Sequence, residues 1–184
     1  AEAVAGEDPH TIAARGLLRL HTGEERSEAA AAAIDLLRPE AANGEDAVPS
    51  FVDLALGIAE LERGDVERAQ RRLRRAADFL GNNVRARIWA ARAAASAGRL
   101  STAKRSFLRA QKTEPRHPGA LAGLALVTLA AGDLEGARSA LDLFDALDSG
   151  GSRDISPKDR ALAVFAKSEL LRRDGREGPA DVEY

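Results

Sequence analysis

Residues 84–117, VRARIWAARAAASAGRLSTAKRSFLRAQKTEPRH, decide the fold when set between residues 50–83, SFVDLALGIAELERGDVERAQRRLRRAADFLGNN, and residues 118–151, PGALAGLALVTLAAGDLEGARSALDLFDALDSGG. Gly64, Gly98 and Gly132 fall 34 residues apart, and a fixed period of that length marks an array of one repeated supersecondary unit. Alanine follows each glycine by five residues (Ala69, Ala103, Ala137), and a large apolar residue follows by nine (Leu73, Phe107, Leu141). Twelve residues on stand Ala76, Ala110 and, as the one break, Phe144. Leu56, Ala90 and Leu124 precede the glycines by eight. Each unit reads as helix, glycine-centred turn, helix.

This pattern resembles the tetratricopeptide repeat, with its Leu-Gly, Ala-x3-Phe and Pro on a 34-residue period. The matching residues are Leu56-Gly57, Ala103 to Phe107 and Pro115, while the aromatic positions of the first helices match poorly. The resemblance implies an all-α, right-handed helical solenoid that binds other proteins, with first helices lining a concave groove and second helices forming the outer layer. It also implies no chaperone-tail binding. Where family members that clamp a C-terminal carboxylate carry Lys, Asn and Arg, this chain has Leu54, Ile58, Trp89, Gly119 and Gly123.

The 184 residues are 45% hydrophobic and 30% charged, the composition of a core-forming sequence long enough for one domain or a short array. Aromatics make up only 4%, so alanine and leucine must do the packing, which suits closely approaching helices and leaves nothing that reads as a strand. With no cysteine, a disulfide framework, a thiolate zinc site and a thiol nucleophile are all excluded. The compartment stays open between cytoplasm and periplasm. The chain begins at Ala1 and contains no methionine, which reads as an excised piece of something longer. The longest apolar run, Ala120 to Ala131, has the length of a buried helix rather than a bilayer span. Arginine outnumbers lysine 23 to 4, as in a GC-rich bacterial genome.

Charge is arranged in blocks. Residues 1–49 carry a net −6, residues 50–117 a net +8 and residues 118–184 a net −4. Such blocks steer an acidic partner to the middle of the chain or bring neighbouring molecules together end to middle; otherwise they are ordinary surface variation.

In chain order, residues 1–8 read as a disordered N-terminus and residues 9–49 as a divergent first repeat, its turn at Gly23, its long loop from Pro39 to Pro49. Repeats at 50–83, 84–117 and 118–151 follow, the last ending in a loop at Asp148 to Ser152. A capping helix at 156–175 opens with Ser156 as N-cap, Pro157 in the first turn and Asp159 three residues after the cap. Phe165, Leu162, Leu170 and Leu171 give it an apolar side with which to cover the end of the stack. Residues 176–184 read as a disordered tail.

No sequence with the spacing of a zinc protease, a phosphate-binding loop or a nucleophile elbow occurs. His10 and His21 would lie roughly 16 Å apart on a helix, too far for one metal ion. His117 sits in a Glu-Pro-Arg-His-Pro turn and reads as solvated rather than catalytic. Asp142, Asp145 and Asp148 lack the order of a calcium loop and read as a solvated acidic face. Arg68, Arg71, Arg72 and Arg75 form a basic stripe, read as a solvated outer face because aromatics for base stacking are missing. No catalytic residue, metal, cofactor, nucleic acid or membrane span is expected.

The candidate site is the groove that the resemblance assigns to the first helices. Its expected lining is Phe51, Leu54 and Ile58, then Arg85, Ile88 and Arg92, then Ala122 and Leu126, while Leu61 and Leu129 are expected to pack between helices. The helix around Leu124 is apolar all round and so needs cover on every side, from a partner, from the array itself or from a second copy. The expected function is a scaffold or adaptor that binds a peptide or helix bearing apolar and acidic anchors. The alternatives are a regulatory or substrate-presenting domain of a larger enzyme and a self-associating scaffold.

Overall fold

The computed structural model describes residues 50–150 and 155–174. The expected first repeat at 9–49, both chain ends, His10 and His21 lie outside the described residues. Among the described residues there are seven helices and no strand: α1 (Ser50–Glu62), α2 (Val66–Phe79), α3 (Val84–Ser96), α4 (Leu100–Thr113), α5 (Pro118–Ala130), α6 (Leu134–Ser149) and α7 (Pro157–Arg173). The helices α1, α3 and α5 begin 34 residues apart, and so do α2, α4 and α6. The chain divides into two compact units, Ala1–Ala97 and Gly98–Tyr184.

The period rests on backbone conformation at the turns. Gly64, Gly98 and Gly132 have φ of +89°, +72° and +81°, the left-handed region in which a Cβ is strained. At the first and third, the chain closes the helix with two reversed hydrogen bonds. Gly64 N–H donates to the Leu61 carbonyl and Asp65 N–H to the Glu60 carbonyl; Gly132 and Asp133 do the same to Leu129 and Thr128.

Within the N-terminal unit, α2 packs against both α1 and α3, and α1 touches α3. The hairpin α1–α2 closes tightly because Gly57 has no side chain: a Cβ there would lie 2.6 Å from Leu73 Cγ. Helix α3 starts with Asn83, whose side chain accepts from Ala86 N–H at 2.9 Å.

Within the C-terminal unit, α5 packs against α4, α6 and α7. Here Phe107 of α4 is seated on Gly123, where a Cβ would fall 2.3 Å from the ring. His117 caps α5 by accepting from Gly119 N–H at Nδ1, 3.1 Å, so the side chain expected to be solvated is half-buried and structural. The all-round apolar helix α5 gets its cover from this chain's own helices: Gly119–Ala125 and Val127–Leu129 are buried. The hydroxyl of Thr128 is satisfied within the helix, donating to the Leu124 and Ala125 carbonyls.

Helix α7 opens as its sequence requires, with Ser156 Oγ accepting from Asp159 N–H and donating to the Asp159 carboxylate. Its buried face matches the expected one at Leu170 and departs from it at Phe165. Asp159, Ala163, Ala166 and Leu170 turn inward and Leu162 and Leu171 are half-buried, whereas Val164 and Phe165 are each 61% exposed. The alanines lie one helical turn apart and let α7 approach closely, and Phe165 falls off that row. Arg173 at its end donates to the Leu129 carbonyl at 2.7 Å, a second donor beside the Gly132 N–H at the end of α5.

Two glycine substitutions separate packing from backbone strain. Gly123→Ala should cost about 1–3 kcal/mol in urea unfolding through overpacking against Phe107, and Phe107→Leu in the same chain should recover part of it. Gly132→Ala meets no neighbouring atom and should cost only about 1 kcal/mol, from φ alone, with no recovery by Phe107→Leu.

Candidate functional site

The first-helix residues divide by accessibility. On α1 every residue from Val52 to Glu60 is buried, and Phe51 is 40% exposed. Leu54 and Ile58 belong to a core with Ala69, Leu73 and Ala76 of α2 and Ala86 and Ala93 of α3. On α3, Ile88 is buried, Arg85 is exposed and Arg92 is half-buried. The Arg92 guanidinium stacks over Trp89, 4.8 Å from the ring centroid, so its charge is held over an aromatic face. On α5, Ala122 is buried and Leu126 half-buried. A partner can therefore reach Phe51, Arg85 and Arg92 in the N-terminal unit and Leu126 in the C-terminal unit. Leu54, Ile58 and Ile88 are buried in the N-terminal unit, and Ala122 is buried in the C-terminal unit.

Sequence reasoning missed a buried charge cluster between α1 and α2. Asp53 is 1% exposed and accepts from both Arg72 and Arg75: Arg72 Nη1 at 3.0 Å, Arg75 Nη2 at 2.7 Å and Arg75 Nε at 2.5 Å. Arg72 Nε also donates to Glu60 Oε1 at 3.2 Å. Two of the four arginines expected to form a solvated stripe thus face inward, and Arg68 and Arg71 remain exposed. The cause is Asp53. A carboxylate in an apolar seam must be paired, and the forked guanidiniums of the facing helix supply five donors each.

Glu60 is the weak member. Its second oxygen is buried without a hydrogen-bond partner. Burial pushes its carboxyl above the usual carboxylate range, partly opposed by the charge and hydrogen bond of Arg72.

The acidic row on α6 is partly bound rather than wholly solvated. Asp145 accepts from Lys167 at 2.6 Å and Asp148 from Arg160 at 2.7 Å, both on α7, and Asp142 stays exposed. The hydrogen bond from Arg160 holds the Asp148 carboxyl below its usual range. On α7 itself, hydrogen bonds from Arg172 and Arg173 pull Glu169 down to about 2. Asp133 is held low first by Lys104 and then by the Gly136 N–H that it caps.

The C-terminal unit also contains an open cleft of about 780 Å³, lined by the turn from Thr113 to Pro118 together with Leu147 and Asp159. Among the described residues, no group of three or more His, Asp or Glu side chains is placed to hold a metal ion. No helix among them is long and apolar enough to cross a membrane.

No protein-family model matches the chain, and no curated protein matches it in sequence. Solved structures match its fold. The thermophilic TPR protein TTC0263 of Thermus thermophilus superposes with a TM-score of 0.67 at 16% identity, covering 95% of this chain and 94% of that one. MamA (AMB-1) gives 0.64 at 19% identity, covering 92% of each chain. The Sgt2 TPR domain from Aspergillus fumigatus gives 0.57 at 18% identity over 73% of this chain and 87% of that one. The chain has the tetratricopeptide-repeat fold.

The buried cluster makes two measurements decisive. Asp53→Ala leaves two arginines facing a seam without their carboxylate and should destabilise by about 3–5 kcal/mol, whereas Asp142→Ala on the exposed face should stay within about 0.5 kcal/mol. For Glu60, the folded protein holds its proton more readily than the unfolded chain does. The parent therefore loses stability from this group as pH rises from the ordinary carboxyl value of 4.5 through the raised folded value. Glu60→Gln lacks that loss, so its stability relative to the parent should rise between acidic and neutral pH in parallel urea titrations.

Proposed function

We propose that this chain, with the tetratricopeptide-repeat fold, is a protein-interaction module. In this reading four repeats, the first in residues 9–49, and a C-terminal helix present first-helix side chains to a peptide or helix of another protein. The observation that carries it is the set of accessible aromatic and arginine side chains on first helices whose aliphatic side chains are largely buried. Helix α1 buries Val52 to Glu60 and leaves Phe51 at 40% exposure, and α3 holds Arg85 exposed and Arg92 stacked on Trp89. Trp89 with Arg92 stacked on it, the accessible Phe51 and the exposed Arg85 are the residue types from which interface hot spots are built. They suit a segment with one apolar and one acidic anchor. The fold shared with the Sgt2 TPR domain supports the reading, as does the shortage of catalytic groups in the sequence. Binding rather than catalysis is the proposed role.

The test must avoid the buried residues. A charge at Ile58, 3% exposed, would break the core and read as lost binding. Affinity capture from the source cell should compare the parent chain with Phe51→Ser/Arg85→Glu and with Leu126→Glu, each checked for unchanged helicity by circular dichroism. Each variant should lose proteins that the parent captures, the first reading the N-terminal unit and the second the C-terminal unit. Identical capture by all three chains would place the binding surface elsewhere.

A further inference from the structure

The C-terminal unit distributes its cations unevenly. Arg138, Arg160, Lys167, Arg172 and Arg173 on α6 and α7 each have a carboxylate partner, and Lys104 of α4 is bound to Asp133. The outer side of α4 is different. Arg105, Arg109, Lys112 and, in the following turn, Arg116 are all exposed, and among the described residues none of them makes an ion pair. They surround Leu108, a large apolar side chain left 43% exposed. Spacings of three, four and seven residues put Arg105, Leu108, Arg109 and Lys112 on one side of the helix. The row leads into the open cleft, where Arg116 and His117 stand beside Pro115 and Leu147.

We propose that this outer face of α4, together with the cleft at its end, binds an acidic polypeptide segment that carries an apolar side chain. Charge complementarity selects the occupant. Four uncompensated cations repel one another and attract a chain of carboxylates, with Leu108 and the Leu147 wall giving it an apolar contact. From Arg105 to Lys112 the helix rises about 10 Å, which an extended peptide covers in about three residues, so a short segment reaches from the stripe into the cleft. Nucleic acid is disfavoured on two counts. Stacking of unpaired bases needs exposed aromatic faces, and the one aromatic of α4, Phe107, is 1% exposed. The cleft is also lined by the acidic residues Glu114 and Asp159, which disfavour a uniformly anionic backbone but fit a peptide of mixed polarity. This surface is separate from the first-helix residues proposed above, and either can fail without the other.

The test is fluorescence anisotropy of the full chain with a labelled peptide of about eight residues, Glu and Asp around a central Leu. A Lys-substituted peptide and a single-stranded oligonucleotide of equal charge serve as comparisons. The acidic peptide should bind and weaken by at least about tenfold as salt rises from about 0.05 M to about 0.3 M. Arg105→Glu/Arg109→Glu should weaken it by about tenfold or more, and Leu108→Ser by a few-fold, with helicity and melting unchanged. Phe51→Ser/Arg85→Glu should leave this binding intact. Equal binding to the charge-reversed chain, tighter binding of the oligonucleotide, or no binding at millimolar peptide would each overturn the proposal. So would concentration-dependent assembly abolished by the same charge reversal without peptide binding, which would assign the face to a second copy.

Discussion

Close approach between helices is the constraint from which the rest follows. Gly57 lies against Leu73 and Gly123 against Phe107, in each case with no room for a Cβ. Buried alanines fill most remaining contact positions: Ala69, Ala76, Ala103, Ala110, Ala137 and Ala140 on the second helices and Ala55, Ala59, Ala91, Ala94, Ala120 and Ala125 on the first. When one side of an interface is this small, the helices can approach until a single large residue spans the gap. Alanines make up about half of the buried apolar residues, so the stability of the core depends on fit.

That dependence on fit explains why charge enters the interior. Helix α1 is buried along nearly its whole length, so Asp53 and Glu60 are taken out of water with it. Replacing water around Asp53 takes two arginines, and the arginines are available only because α2 runs antiparallel at short distance. Buried ion pairs are poor sources of net stability, but they are strict about geometry. A one-residue slip of α2 along α1 would move Arg72 and Arg75 off Asp53 and Leu73 off Gly57. The charge cluster and the glycine contact therefore select the same register in this hairpin.

How much of this was legible in the sequence follows from what kind of information each feature needs. The turn glycines announce themselves, because left-handed backbone admits few residues and the 34-residue spacing fixes both helices around each turn. The caps at Ser156 and Asn83 are local and could be read the same way, although only Ser156 was. Long-range pairing was harder. Yet Asp53 and Arg75 each lie eleven residues from Gly64, on opposite sides, and an antiparallel hairpin brings such positions face to face. That symmetry was present in the sequence, hidden by reading Arg68 to Arg75 as one stripe. The face of α7 was misjudged because large residues attract attention, while the small ones at Ala163 and Ala166 set the approach. The candidate groove came from a family geometry that says which residues turn toward one another, not which stay accessible once neighbours close over them.

Small-residue packing also divides labour between α5 and α4 in the C-terminal unit. From Gly119 to Leu129, α5 is buried but for the half-buried Leu126, so it presents little side chain for recognition. Its partners keep one face in water: α4 buries Ala103, Phe107 and Ala110 and leaves the positions between them to arginine, lysine and Leu108. Packing restricts the buried row to a few small or well-fitted residues, so sequence freedom collects on the outer row. There, arginine and lysine also fold their aliphatic stems over apolar surface while keeping the charge in water. A short array made of small residues therefore concentrates its distinguishing chemistry on outer helix faces and at the turns, where a charge can be left uncompensated without weakening the core.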